Sequence, residues 1–554
     1  MKSKEKDKIL DNLPGCAAEF IKLVIKKMRY RRKVQAQVQA ELTAPFEDEL
    51  SKCKSDEDKE QKAQQLIADF GNPKLLGVLL RRAKKRCRPL WRTVFARASQ
   101  AIVIIFVCLV VYIGWFLSGK PVVTVDYIAE LNRMVRPSAD DNSNAAPFYI
   151  EAAELYEKWP DDISNLLGEK YHDVNDMQKQ RIEQFLEDNS KTLELVIAGS
   201  KKPYYWREYS NKDNNSELMT AVLLPNLAEF RRLAYSLCWR AWLRAGQVRY
   251  EEAFDDLTAC YRFGRHLKGD KFLIEQLVGI AIEALSALNT RDIVTEFQVD
   301  AASLALLQKD LQQAIIDEDF TVSFETEKLF LYDEIQRCFT EGIFSGGHIY
   351  LPRIRKWRNM GGAYEGEGII LDIIAYIEAC GNPFYVLFAH PNKRQTRQMA
   401  DKFYAFWDKI ADKTPAQIRA ENVDVEAKVN EFIENNILLN LLTPAFSRVI
   451  EISCRCKADV LATLSIIAIE RYNQDTGQYP SSFQQLVEAG YLKQLPIDPW
   501  SDKPLVYRTT DDGFILYGVG TNFEDDGGQI AIDDRGRIEK YADEGDWVFW
   551  PLDK

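Results

Sequence analysis

The chain has 554 residues, 46% of them apolar and 28% charged, which excludes a disordered tail and provides for about three or four domains. The net charge of −11 is unevenly spread: residues 1–97 hold 24 Lys and Arg against 13 Asp and Glu, and the remainder carries a net of −22. Only four histidines occur in the whole chain, so histidine-based catalysis and a multi-histidine metal centre are not expected.

The basic head, residues 1–97, reads as short helices with clear punctuation. Ser55-x-x-Asp58 matches a capping box that opens a helix running to Phe70. Gly71 suits the position just past its end, Asn72 the next N-cap and Pro73 the first turn of the following helix. Leu75, Leu76, Val78, Leu79 and Leu80 then give an apolar face that leads into a basic run. The stretch holding Phe46-Glu47-Asp48 and Ile67-Ala68-Asp69-Phe70-Gly71-Asn72-Pro73 resembles the small helical signalling domains of the HAAS type, found beside bacterial PadR-like regulators. The resemblance covers about 50 residues and implies an interaction or signal-coupling element rather than an enzyme. The basic run is read as a topology signal that meets lipid headgroups, and nucleic acid is not expected as a partner.

Residues 98–118 form the predicted membrane span. Ala101–Leu117 is uncharged and almost wholly apolar, and with Ala98 it makes about 20 residues, or roughly 30 Å of helix. Tyr112, Trp115 and Phe116 suit an interfacial belt. Eight basic residues, from Arg81 to Arg97, precede the run and only Lys120 follows closely. The positive-inside rule then predicts a single-pass inner-membrane protein with a cytoplasmic N-terminus and residues 119–554 outside. A cleaved signal peptide is not expected, because some 97 residues precede the span. Ile369–His390, which holds Asp372 and Glu378, and the short Val460–Ile469 are read as core helices.

Residues 119–443 are predicted to be a helical body, opened by a linker over 119–147. Helices are expected at 224–245, 250–267, 273–295, 302–317, 323–341, 369–382 and 393–412. The hairpin across Gly246-Gln247-Val248-Arg249 sets Cys238 beside Cys260, within about 7 Å between Cα atoms and in an oxidising compartment, which suits a disulfide or, equally, two small core residues facing neighbouring helices. Tyr250-Glu251-Glu252-Ala253 resembles the second helix of a tetratricopeptide hairpin, but no 34-residue period repeats it. Gly342–Gly368 reads as a connector, with Arg353, Arg355, Lys356, Trp357 and Arg358 as an alternative binding loop. The common nucleophile, zinc-protease, P-loop and dinucleotide motifs are all missing, so no catalytic activity is expected of this body.

Residues 444–554 change to one long helix followed by strands. Thr443 and Pro444 suit its start, Gly477 its end, and Pro504–Arg508 with Phe514–Val519 a hairpin. Gln529–Asp533 and Arg537–Tyr541 suggest a second hairpin. Thr476-Gly477-Gln478-Tyr479-Pro480, Gly490-Tyr491-Leu492, Leu495-Pro496-Ile497-Asp498-Pro499-Trp500 and Leu516-Tyr517-Gly518-Val519-Gly520, in this order, resemble the globular domain of type II secretion major pseudopilins (the GspG-like kind). The resemblance covers about 90 residues and implies a long helix on a small antiparallel sheet. It also implies calcium in the loop Gly520–Gly528, with Asn522, Asp525 and Asp526 as first ligands and Asp533 behind them. An acidic turn without metal remains the alternative. The span lies some 340 residues upstream of this domain and lacks a pseudopilin cleavage site, so an ordinary pilus subunit is not expected.

The fold class expected is therefore mainly α with an α+β tail. The function expected is a membrane-anchored binding or scaffold protein with partners in both compartments. A secretion or pilus-like assembly component, and an extracytoplasmic enzyme with an unrecognised site, are the alternatives.

Overall fold

The computed structural model describes the chain apart from residues 1–9, 11, 87–89, 139, 170, 212–217, 223, 316–319, 343–345, 355–384, 386–387, 444, 512, 531, 533–543 and 552–554. It is mainly helical and divides into two compact units, Met1–Trp115 and Phe116–Lys554.

The first unit contains α1 (Gly15–Met28), α2 (Arg32–Leu50), α3 (Asp56–Phe70) and α4 (Pro73–Arg86). The predicted punctuation is present: the Asp58 amide donates to Ser55 Oγ at 3.2 Å, and Gly71 closes α3 with φ +74°. Phe20, Phe46 and Phe70 meet in the core, with Phe46 stacked on Phe70 at 5.5 Å between centroids. A Cβ on Gly77 would stand 2.7 Å from the Val24 carbonyl oxygen, so glycine lets α4 lie directly on α1. Leu76 and Leu80 pack inward, while Leu75 and Leu79 of the same helix are exposed.

Next comes α5 (Leu90–Ser118), which begins at Leu90 rather than at Ala98. Its stretch Val94–Ser118 contains an 18-residue window of mean hydropathy 2.7, only 6% of which is buried. A second helix, Leu273–Glu296, also passes on length and apolarity, but its most apolar 18-residue window reaches a mean hydropathy of only 1.2 and is 56% buried. That helix lies among the others of the second unit as a core element.

The second unit opens with Phe116, buried and stacked on His348 at 4.4 Å. The predicted linker 119–147 is partly helical: α6 (Tyr127–Val135) is capped by Asp126 and buries Tyr127, Ile128 and Leu131. Then follow α7 (Ala146–Leu155), α8 (Asp176–Asp188), α9 (Ser190–Ser200), α10 (Leu227–Gly246), α11 (Tyr250–His266), α12 (Leu273–Glu296), α13 (Ala301–Ile315) and α14 (Glu325–Cys338). The α10–α11 hairpin is present, and Cys238 and Cys260 are buried thiols with sulfurs 4.0 Å apart. Asp256 of α11 receives Arg240 and Arg244 of α10, so the hairpin is also closed by a buried ionic group. The expected helix 369–382 lies outside the described residues. Arg353, from the proposed binding loop, is half-buried, and its guanidinium meets the fully buried Glu334 at 2.6 Å.

The chain continues through α15 (Lys393–Ala411), α16 (Pro415–Ala420), α17 (Val425–Ile433), α18 (Ile437–Leu442), α19 (Phe446–Thr476) and α20 (Phe483–Glu488). Thr443 does not cap α19, as expected from the sequence, but ends α18; Ala445 precedes α19 and Gly477 ends it with φ +74°. Helix α19 packs against α12 and α13 as well as against the sheet, so it belongs to the core of the body. Strands β1 (Val506–Thr510), β2 (Gly513–Gly518) and β3 (Trp547–Trp550) are antiparallel in the order β1-β2-β3. Leu516 faces both Tyr507 of β1 and Trp550 of β3. The third strand is supplied by Trp547–Trp550, whereas most of the expected second hairpin lies outside the described residues. Trp500 anchors its loop against Trp547, edge-on at 4.1 Å.

Glu470 on α19 has its carboxyl pushed up to about 7 by burial. Its folded value exceeds its ordinary value of 4.5, so the fold holds the proton more tightly than the unfolded chain does. Stability should therefore fall as pH rises from about 4.5 to about 7. Glu470→Gln should raise the melting temperature at pH 8 and leave it nearly unchanged at pH 4; equal effects at both values would remove the titration.

Candidate functional site

The acidic loop begins where β2 ends. The Asp525 carboxylate accepts from the Tyr517 hydroxyl at 2.8 Å, the Gly527 amide at 3.0 Å and Arg508 at 3.3 Å. The Tyr517 hydrogen bond is the main reason its carboxyl titrates below the ordinary range. Asn522 donates its amide to Asp526 at 2.8 Å, and its backbone carbonyl accepts from Arg419 at 3.2 Å. Asn522, Asp525 and Asp526 are thus in one loop, while Asp533 lies outside the described residues. Two guanidinium groups already sit on this loop. Among the described residues no group of three or more His, Cys, Asp and Glu side chains is placed to hold a metal ion. Both Asp525 oxygens and one Asp526 oxygen already accept from internal donors.

A polar cluster is buried where α11 turns into α12. Tyr209 donates to Glu275 at 2.7 Å, and desolvation raises the Glu275 carboxyl. Lys271, buried beside it, is lowered to about 8 by the same cause. The Tyr205 hydroxyl and the second Glu275 oxygen have no hydrogen-bond partner among the described residues. His266 is held neutral, its value pushed down to about 3 chiefly by burial. Its Nδ1 accepts from the Tyr149 hydroxyl at 2.7 Å and its Nε2 donates to the Lys202 carbonyl at 3.1 Å, so the ring is satisfied as a core group.

The third feature is an open cleft of about 350 Å³ between the start of α15, α14 and the segment that leaves α5. Its walls include Thr124, Tyr127, Tyr332, Lys393, Arg394 and Arg397. Gln336 of α14 fixes one wall: its Oε1 accepts from the Thr124 and Val125 amides at 3.1 and 3.2 Å, and its Nε2 donates to the Val125 carbonyl at 2.8 Å. Arg397 donates to the Tyr127 hydroxyl at 2.9 Å and lies over the Tyr332 ring. Lys393 is held by Glu341, and Arg394 is exposed, with no ion-pair partner among the described residues. Sequence reasoning passed over these cations. Their signal was present, since Lys393, Arg394 and Arg397 begin a helix at the end where the macrodipole repels positive charge.

No protein-family model matches the chain, and no curated protein or solved structure does so either.

Proposed function

We propose that this chain is a single-pass membrane protein with a cytoplasmic head and an extracytoplasmic body, and that it acts as a binding or scaffold protein rather than as an enzyme. The observation that carries the reading is the exposed apolar helix Val94–Ser118, flanked by the basic run on one side and tied to the body on the other. A few residues beyond that helix, the Thr124 and Val125 backbone is hydrogen-bonded to Gln336 of α14. Protein partners are proposed for the head and for the body, and lipid for residues 98–118. A reporter active only outside the cytoplasm should work when fused after Lys554 and stay silent when fused after Lys85. The reverse pattern would overturn every compartment assigned here.

The assembly-component reading gains support from the long helix lying on a three-stranded antiparallel sheet. Against it, α12 and α13 already pack against α19, the helix a pilus subunit would need for contacts with its neighbours. Calcium stays a proposal drawn from the pseudopilin resemblance. The ion would have to displace Arg508 from Asp525. Its measure is the melting temperature of the full chain in millimolar calcium: a rise that Asp525→Ala with Asp526→Ala abolishes supports the ion, and unchanged melting removes it.

A further inference from the structure

The cleft beside α15 combines three features that separately mean little. It has room for a small polar group, about 350 Å³. It gathers three cations at the positive end of a helix of 19 residues. It also lies close to the end of the apolar helix. Lys120 stands two residues beyond Ser118, and its carbonyl accepts from the Glu341 amide at 3.4 Å. Two residues of chain reach at most about 7 Å. Lys120, and through it Glu341 and Lys393, are therefore joined to the end of α5 by a very short tether.

The charge balance at the cleft is positive. Glu341 offsets Lys393, and Asp401 lies 3.6 Å from Arg397. Arg394 remains, with its planar fork exposed and the dipole of α15 behind it. Cations placed against a helix dipole cost stability unless an anion meets them, and guanidinium matches phosphate oxygens in a two-pronged geometry. Val122, Val123 and Val125 of the neighbouring segment are exposed, which gives an apolar border beside the charged one.

We infer that this cleft binds the phosphodiester of an anionic phospholipid headgroup, with Arg394 as its main contact and Lys393 at the rim. The inference rests on the membrane-anchor reading above. Free phosphate shares the chemistry, but the adjoining apolar border and the short tether to the apolar helix favour the lipid.

The test uses the full chain in detergent micelles, titrated with short-chain phosphatidylglycerol or phosphatidylcholine and read by native mass spectrometry. Phosphatidylglycerol should be retained over phosphatidylcholine. Arg394→Ala should weaken that retention about fivefold, the usual effect of one cation near an anionic surface. Arg394→Lys should keep most of it. Because Arg394 is exposed, these variants should fold as the parent does. Equal retention of the two lipids, or no effect of Arg394→Ala, overturns the inference. Displacement of the lipid by inorganic phosphate, or by an oligo-glutamate peptide, at the lipid's own concentration assigns the cleft to that anion and overturns it as well. Flotation with vesicles of pure phosphatidylcholine reads the anchor alone, so failure of the span and failure of the cleft give different results.

Discussion

Asp459→Ala is expected to cost the second unit about 3–5 kcal/mol of stability, the usual penalty for leaving one member of a buried ion pair behind. Arg291 of α12 is only 1% exposed, and its guanidinium meets Asp459 Oδ1 of α19 at 2.7 Å. A second nitrogen donates to the Asp459 carbonyl and to Thr463 Oγ1, both at 2.9 Å. Phe549 lies on its face, 5.8 Å from centroid to charge. Removing the carboxylate leaves a cation buried between two helices with its charge uncompensated. Arg291→Met with Asp459→Leu should lose much less, because no charge is then buried. Denaturant unfolding of the full chain in detergent would measure both. A loss below about 1 kcal/mol for Asp459→Ala would show that water reaches the pair and that α19 is held more loosely than the geometry implies. The same contacts bear on the tail as a module. Val460, Thr463 and Ile467 of α19 are buried, so a fragment of residues 444–554 would expose part of the body's own core. It should be insoluble or molten by itself.

What the sequence made legible was local. Ser55, Gly71 and Pro73 mark helix ends through their own backbone preferences, and those ends fall where they mark them. The α10–α11 hairpin follows from two amphipathic helices and a short turn, which also brings Cys238 to Cys260. The segment 119–147 was misjudged because its polar centre around Asp140–Asn144 outweighed a single buried turn formed by Tyr127, Ile128 and Leu131. Strand β3 is four residues long, too short to show alternation, and β2 selects it by pairing. The density of acids in the loop 520–528 was plain. Their orientation was not, because Arg508 and Arg419 reach it from other elements. Arg291 and Asp459 are 168 residues apart, and no local pattern joins them. The cleft at α15 needed distant segments at once: Thr124 from the stretch that follows α5 and Lys393 from beyond the middle of the chain.

Gly279→Ala should be nearly as damaging, and its cause is purely steric. Gly264 of α11 and Gly279 of α12 face each other where the two helices cross. A Cβ on Gly279 would stand 2.5 Å from the Gly264 carbonyl oxygen, and one on Gly264 would stand 2.6 Å from the Gly279 oxygen. Neither neighbour is a flexible side-chain end, so the helices must separate. Alanine in mid-helix gains about 1 kcal/mol over glycine in backbone terms. Overpacking costs about 1–3 kcal/mol and more when backbone has to move. The separation also pulls on what the close approach holds together: Lys268 and Glu283, a buried pair at 2.9 Å, and the Ser286 hydroxyl that donates to the Leu257 carbonyl at 2.8 Å. Loosening that pair adds part of the 3–5 kcal/mol that breaking it outright would cost. The net expectation is a loss of about 3 kcal/mol in unfolding free energy for either single substitution. Both glycines serve one contact, so the double variant should lose less than the sum of the two. A neutral or stabilising Gly279→Ala, measured by denaturant unfolding of the full chain, would mean that α11 and α12 cross farther apart than these distances require. Additive losses in the double variant would mean that the two positions are packed independently of each other.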